Sequence, residues 1–174
     1  MNIVIGTAEY AAELLKYHAD NAERFTRWNP AVVPGYYTLE WWQTRTREWE
    51  RQFMQGSAVH FLGLNDSGSR VIGACSLTNI IYSPGWFCFM GYSIDEREEG
   101  SGAMTQIAQH AIHYAFNVLK LNRISASYMP VNERSARLLA KLGFEKEGYS
   151  KRLLKINGQW EDHINTALLN PQNS

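Results

Sequence analysis

This sequence contains little cysteine and no long apolar run. Its two cysteines, Cys75 and Cys88, are too few for a disulfide framework, and each lies within a strand-like apolar segment. We therefore expect reduced, packed thiols in a cytoplasmic protein, with a redox pair or an acyl carrier as the alternative. No segment approaches the roughly 20 apolar residues that span a bilayer, and residues 1–10 lack the basic and apolar regions of a secretion signal. A membrane partner is therefore not expected.

An excess of charge of either sign is also absent. Lys plus Arg and Asp plus Glu each number 17, which makes the formal net charge zero. General nucleic-acid binders carry a basic surface, so direct, sequence-specific contact with nucleic acid is not expected; a local patch could still touch a ribosome or an RNA-bound protein. The 174 residues are 45% hydrophobic and 13% aromatic, a length and composition that predict one packed domain over residues 1–174.

Hydrophobic periodicity predicts an α/β fold. Apolar residues at three- and four-residue steps predict helices over residues 8–21, 38–55, 102–119 and 132–142. Thr7 is a candidate N-cap of the first helix, and residues 25–35 are expected to form a loop. Extended apolar runs predict strands at residues 3–5, 58–64, 71–81, 86–94, 123–128, 144–154 and 160–169. With a tight Asn157-Gly158 hairpin turn, the order predicts a three-layer domain with a mixed, mostly antiparallel sheet flanked by helices.

One segment has the features of a ligand site. Arg97-x-x-Gly100-x-Gly102 lies between the end of a predicted strand and the start of a predicted helix. The two glycines permit positive φ angles and a close approach of the backbone to a bulky ligand, and the unpaired N–H groups of the following helix suit a pyrophosphate. The spacing does not fit a dinucleotide-binding loop or a Walker loop. A glycine-rich turn that merely starts a helix would explain the glycines alone equally well.

Further motifs, in a fixed order, make the chain resemble a known family. They are Tyr128-Met129-Pro130, Asn132-x-x-Ser135, Gly143-Phe144-Glu145 within residues 141–149, and the segments 156–160 and 162–163. Together with the Arg97 motif they resemble the GCN5-related N-acetyltransferase (GNAT) superfamily, and in detail its RimJ/RimL type of ribosomal-protein alanine N-acetyltransferase. The likeness is detailed over residues 56–169. It implies direct transfer of an acetyl group from acetyl-CoA to an amine, with acetyl-CoA as cosubstrate and no acyl-enzyme.

The resemblance also implies roles for individual residues. Backbone groups of Tyr92, Ser93 and Ile94 would meet the pantetheine arm, and an N–H there would polarise the thioester carbonyl. Asn132 and Ser135 would approach the pantetheine and its sulfur from the later helix. The pyrophosphate would be held by the Arg97 side chain and by the amides of Glu99, Gly100, Ser101, Gly102, Ala103 and Met104.

Two features depart from the family pattern. Many members carry, seven residues after the asparagine, a tyrosine that protonates the leaving thiolate, but this position is Leu139 here. Ser135 lies one helical turn earlier on the same face and could supply a hydrogen bond instead, as in RimL-like relatives; capping or packing is its alternative role. In addition, a cluster of carboxylates surrounds Arg97 and should repel a pyrophosphate: Asp95, Glu96, Glu98 and Glu99.

The sequence assigns no firm general base. The strand over residues 86–94 holds no carboxylate, whereas the last strand offers Asp162, flanked by Glu161 and His163, acting directly or through water. An exposed polar strand edge would explain these three residues as well. A terminal amine has a reference pKa of about 7.7–8.0, so it needs little base catalysis. His110 and His113 share a helix face without a third ligand, so no metal is expected.

The sequence therefore predicts an acetyl-CoA-dependent N-acetyltransferase that is a monomer or a weak dimer. By resemblance, its acceptor is a protein N-terminus, that of a small-subunit ribosomal protein beginning with alanine. A small-molecule amine is the alternative acceptor. A non-catalytic acyl-CoA-binding ribosome assembly factor with the same fold is the alternative from another class. Trp28, in the predicted loop, would wall a substrate cleft or fill the core.

Overall fold

The computed structural model describes residues 1–173, in which seven strands form one sheet. The strands are β1 (Asn2–Ile5), β2 (Val59–Leu64), β3 (Val71–Ile81), β4 (Phe87–Ile94), β5 (Arg123–Tyr128), β6 (Glu145–Ile156) and β7 (Gln159–Leu169). Their order across the sheet is β1-β2-β3-β4-β5-β7-β6. All neighbouring pairs are antiparallel except β4 and β5, which run parallel. The predicted mixed, mostly antiparallel sheet is confirmed, with small shifts at the strand ends.

Five α-helices accompany the sheet within residues 1–173. They are α1 (Ala11–Asp20), α2 (Ala22–Thr26), α3 (Leu39–Met54), α4 (Ala103–His113) and α5 (Glu133–Lys141). The start of α3 is set by Thr38, whose side-chain oxygen accepts a hydrogen bond from the Trp41 N–H at 3.3 Å. Positive φ at Gly143 ends α5 as predicted, because glycine adopts this conformation without a steric penalty. None of the helices in the described range is long and apolar enough to cross a bilayer.

Two predictions near the N-terminus need correction. Thr7 lies at the N-cap position of a short 3₁₀ turn that precedes α1, but its side chain accepts no capping hydrogen bond; its hydroxyl donates to the Glu9 carboxylate at 3.2 Å. The expected loop over residues 25–35 begins later, because Phe25 belongs to α2. The Phe25 ring is buried 5.3 Å from the ring of Tyr17. Packing of this aromatic side chain thus stabilises a short helix that the nearby Pro30 had argued against.

The sheet separates two apolar cores. The first lies between the sheet and helices α4 and α5, and includes Phe61, Leu77, Ile107, Ile124 and Leu139. The second lies between the opposite face and helices α1 and α3, and includes Leu14, Tyr17, Trp42, Leu62 and Val71. Successive residues of a strand face opposite sides of the sheet, so Phe61 and Leu62 enter different cores. Cys75 and Cys88 are free, buried thiols of the first core. The three-layer arrangement is confirmed.

Candidate active site

The parallel strands β4 and β5 part from each other inside the sheet. They pair only from Phe87–Arg123 to Phe89–Ser125. Beyond this point β4 continues along β3 as far as Ile94, while β5 continues along β7 as far as Tyr128. Within residues 1–173, no strand pairs with the two edges that face each other across the resulting gap. The gap between β4 and β5 therefore leaves backbone without a strand partner in the middle of the sheet, and at its end the Ile94 carbonyl accepts a hydrogen bond from the Arg24 side chain of α2.

The direction of the backbone groups along β4 decides which residues line this gap. The Asp95 N–H donates to the Ile72 carbonyl of β3 at 2.8 Å. Backbone groups alternate in direction along a strand, so those of Tyr92 and Ile94 point away from β3 and into the gap. The Ser93 backbone points toward β3, and its hydroxyl lies 2.8 Å from that of Tyr17 on α1. The backbone of Tyr92 and of Ile94 thus lines the gap, whereas the Ser93 side chain contacts α1.

The glycine motif forms the loop that leads from β4 into α4. Gly100 and Gly102 have φ angles of 76° and 86°, which side chains other than glycine rarely adopt. A Cβ atom at either position would meet no protein atom within 4 Å, so the space beside them is open. The first intrahelical bond of α4 joins the Gln106 N–H to the Gly102 carbonyl at 3.2 Å. Amides before Gln106 therefore have no intrahelical acceptor. Three of them already donate within the loop, each at 3.2 Å: Glu99 to the Glu96 carbonyl, Ser101 to the Glu98 carbonyl and Ala103 to the Ser101 hydroxyl. Among residues 99–104, the amides of Gly100, Gly102 and Met104 are therefore the ones that remain available to an anion at the helix N-terminus.

The Arg97 side chain is half exposed and pairs with a carboxylate of its own loop. Its Nε and Nη2 donate to the two oxygens of Asp95 at 2.9 Å and 2.7 Å. Arg70 donates to the same carboxylate at 3.0 Å. Burial alone would raise the pKa of Asp95, but the hydrogen bonds from Arg97 and the charges of both arginines outweigh it and hold the pKa at about 2. The guanidinium predicted to hold a pyrophosphate is therefore committed to bracing the loop.

The acidic residues around Arg97 are neutralised by arginines from distant segments. Glu98 accepts a hydrogen bond from Arg70 at 2.7 Å. Glu99 pairs with Arg24 of α2 at 2.8 Å and with Arg134 of α5. The expected repulsion of an anion is thus largely offset. Sequence reasoning missed these arginines because nothing local links residues that lie 28 to 75 positions apart.

Two neighbouring side chains of helix α5, Arg134 and Ser135, contact residues on the β4 side of the gap. Asn132 is the N-cap of this helix, and the Asn132 side-chain oxygen accepts a hydrogen bond from the Ser135 N–H at 3.1 Å. The Ser135 hydroxyl lies 2.5 Å from the phenol oxygen of Tyr92 on β4. Arg134 forms the second link, to Glu99 beyond the end of β4. Leu139 points into the first core and is only 1% exposed, so this position offers nothing to a ligand.

Asp162 lies in an irregular part of the β6–β7 hairpin. The register shifts between Ser150 and Leu154, and Arg152 has a φ of 50°. One Asp162 oxygen accepts a hydrogen bond from the Arg152 N–H at 2.8 Å, and the other accepts one from the Tyr149 hydroxyl. The Tyr149 hydrogen bond, with that from Arg152, lowers the pKa of Asp162. Its carboxylate is therefore a weak proton acceptor that holds the irregular hairpin together.

The loop between α2 and α3 contacts the β6–β7 hairpin. The Asn157 N–H at the hairpin turn donates to the Asn29 carbonyl of that loop at 3.1 Å. Both segments expose large apolar side chains to solvent: Val32, Val33, Tyr37, Leu153, Leu154 and Trp160. Trp28 is half-buried at the start of the loop, whereas Trp42 and Trp49 of α3 are buried. In residues 1–173, no three His, Cys, Asp or Glu side chains are grouped as a metal site would need.

Comparisons with known proteins agree with this geometry. A model of the acetyltransferase (GNAT) domain matches residues 5–145. The [ribosomal protein uS5]-alanine N-acetyltransferase of Escherichia coli K12 is 38% identical over 161 residues, which cover 92% of this chain and 83% of the relative. The structure of ribosomal-protein-S5-alanine acetyltransferase from Vibrio fischeri is 33% identical, with a TM-score of 0.94 over 97% of this chain and 92% of that one.

A more distant structure shares the fold. Mycobacterium smegmatis RimJ in complex with CoA-disulfide is 21% identical, with a TM-score of 0.91 over 98% of this chain and 82% of that one. The parted strands, the glycine motif at the start of α4 and these matches lead to one conclusion. The chain belongs to the GNAT family of acetyltransferases.

Proposed function

We propose that the protein transfers the acetyl group of acetyl-CoA to the N-terminal α-amine of a protein. The observation that carries the proposal is the gap between β4 and β5, which ends at the start of α4. An extended pantetheine arm would pair with the free edge of β4 in the manner of an added strand. Its pyrophosphate would then meet the amides of Gly100, Gly102 and Met104, which have no acceptor within the loop, at the helix N-terminus. The mycobacterial relative, which is in complex with CoA-disulfide, supports CoA as the ligand.

The backbone of β4 supplies the electrophilic assistance that acyl transfer requires. As the amine nitrogen attacks the thioester carbon, negative charge develops on the carbonyl oxygen. The N–H groups of Tyr92 and Ile94 face the gap and would stabilise this charge by hydrogen bonding. An α-amine with a pKa of about 7.7–8.0 is partly neutral at physiological pH, so the weakly basic Asp162 is not needed to deprotonate it.

The exposed apolar side chains of the loop before α3 and of the β6–β7 hairpin favour a polypeptide acceptor over a small amine. The two segments contact each other through Asn29 and Asn157, and their side chains offer apolar surface to a bound chain. The Escherichia coli and Vibrio fischeri relatives are named for an alanine of a small-subunit ribosomal protein. A ribosomal protein beginning with alanine is therefore the acceptor we propose.

A peptide that begins with alanine is expected to be acetylated by this protein. The test uses labelled acetyl-CoA, with the same peptide already acetylated at its N-terminus but carrying a free lysine as the matched control. Spermidine serves as a small amine. Label in the free peptide alone supports the proposal, and label in spermidine alone would replace the protein acceptor with a small one. Acetyl-CoA binding without transfer to any of these amines, or to any protein of a bacterial lysate, would indicate a non-catalytic binding protein.

Glu99→Gln is expected to tighten acetyl-CoA binding by up to about fivefold at low ionic strength. The substitution removes the carboxylate that pairs with Arg134, whose side chain is 70% exposed, and frees that arginine to meet the pyrophosphate. The size follows from about 0.2–1 kcal/mol for an exposed ion pair, and added salt should reduce it. Calorimetric titration at two salt concentrations measures the effect. In the control variant Glu98→Gln, Arg70 still has Asp95 as a partner, so affinity should stay near wild type. Weaker binding by Glu99→Gln would contradict the expectation.

A further inference from the structure

Tyr92 and Ser135 meet across the gap where the leaving thiolate has to gain a proton. Their hydroxyl oxygens lie 2.5 Å apart, and they belong to β4 and to the first turn of α5. Their hydrogen bond therefore joins the two sides between which the pantetheine arm would run. We propose that Tyr92 is the source of the proton that reaches the CoA sulfur, and that the Ser135 hydroxyl delivers it. This inference rests on the proposed acetyl transfer.

Two other positions considered for acid–base catalysis from the sequence are not suited to this task. Leu139 has no proton to give and its side chain is buried in the first core. Asp162 is a carboxylate of lowered pKa, so it is ionised at neutral pH. The Ser135 hydroxyl by itself is a very weak acid, whereas a phenol has an ordinary pKa near 10 and donates far more readily. In this pair, Ser135 would reach the sulfur, and the more acidic phenol of Tyr92 would replace the proton that Ser135 gives up.

The surroundings of Tyr92 keep its phenol protonated. The side chain is half-buried against the first core, where Cys75 of β3 and Tyr128 of β5 are its titratable neighbours. Burial raises the pKa of Tyr92 to about 12, although the hydrogen bond with Ser135 acts in the opposite direction. The proton is therefore present at the pH values near 8 at which an α-amine becomes neutral.

The transfer can be written with its atoms balanced. The C–N bond forms as the amine attacks, and the ammonium nitrogen of the tetrahedral adduct releases one proton to solvent. The C–S bond then breaks, and its electron pair goes to sulfur. The Ser135 hydroxyl proton passes to the sulfur to form the CoA thiol, while the Tyr92 phenol proton passes to the Ser135 oxygen. The Tyr92 phenolate regains a proton from solvent, so the net reaction joins an amine and acetyl-CoA into an amide and CoA.

Tyr92→Phe is expected to lower kcat by about ten- to a hundredfold, which is the usual contribution of a positioned acid. Phenylalanine keeps the ring in the core, so acetyl-CoA binding by calorimetry should stay within about twofold. Ser135→Ala should cause a similar loss. The double variant should be no slower than the worse single variant, because both side chains serve one path. The assay uses the alanine-initiated peptide and labelled acetyl-CoA.

Two further measurements separate proton supply from a structural role. Tyr17→Phe removes a phenol from a similar Tyr–Ser pair, on the other face of β4, and should leave kcat within about twofold. Fluorotyrosine at position 92 has a more acidic phenol, so the fall of kcat at high pH should move toward neutrality; a packing role would leave this profile unchanged. An unchanged kcat in Tyr92→Phe, an equal loss in Tyr17→Phe or an unshifted fluorotyrosine profile would each overturn the proposal. Wild type that transfers to no amine would remove the proposed function, and the proton path with it.

Discussion

Replacing Gly100 with valine is expected to weaken acetyl-CoA binding at least tenfold, or by about 1.4 kcal/mol or more. The φ of 76° at Gly100 is unfavourable for a β-branched residue, so the loop before α4 must change its conformation. The new side chain would also enter the open space beside the loop, where we place the pyrophosphate. Both effects act on the anion-binding amides. The affinity for acetyl-CoA should therefore fall in addition to any loss in the free energy of unfolding. Calorimetric titration with acetyl-CoA measures the change.

Gly68→Val is the matched control for this substitution. Gly68 has a φ of 72°, and a Cβ atom there would also meet nothing within 4 Å, but the residue lies in the turn between β2 and β3. The two variants should therefore suffer a similar backbone strain, of about 1–3 kcal/mol. Only Gly100→Val should lose affinity for acetyl-CoA. Equal affinities for the two variants would show that the glycine loop does not hold the ligand.

Asp95→Asn is expected to reduce the free energy of unfolding by about 2–4 kcal/mol at pH 7. The Asp95 side chain is only 2% exposed and accepts hydrogen bonds from both Arg70 and Arg97, which an amide cannot match. Urea denaturation of the variant and of wild type measures the difference. The exposed pair of Arg123 and Glu147 supplies the control, since Glu147→Gln should cost less than about 1 kcal/mol.

The effect of Asp95 on stability should also depend on pH in a defined direction. Folding lowers the pKa of this carboxyl from its ordinary value of 3.8 to about 2. Its contribution is therefore fully present above pH 4 and is lost as the pH falls toward 2, where wild-type Asp95 becomes protonated in the folded state as well. The stability difference between wild type and Asp95→Asn should narrow over this window. A difference that stays constant from pH 7 to pH 2 would contradict the ion-pair account.

The local features of the site could be predicted from the sequence because each depends on residues close together in the chain. A positive φ at Gly100 or Gly102 is a property of glycine itself, and the Asn132 cap acts on an N–H only three residues away. Strand and helix periodicity likewise depends on neighbouring residues, and it located the sheet, α4 and α5. The short α2 was missed because packing of Phe25 on Tyr17, and no local pattern, stabilises it.

Side-chain partnerships across the gap could not be predicted in this way. The sequence assigned Glu99 no cationic partner, but Arg134 of α5 pairs with it. Tyr92 was expected to contribute only its backbone, and its contact with Ser135 spans 43 residues. Such contacts depend on how the sheet brings β4 and the start of α5 together, and no local rule encodes that distance.

By itself the sequence determined the family, the order of the strands and helices and the loop that starts α4, since these follow from local conformational preferences and motif spacing. The tertiary structure alone decided where β4 and β5 part, because the apolar pattern of a strand is the same whether its edge is paired or free. It also decided which charges are neutralised and which hydroxyls meet. Those outcomes depend on distances between segments far apart in the chain, which only the folded sheet defines.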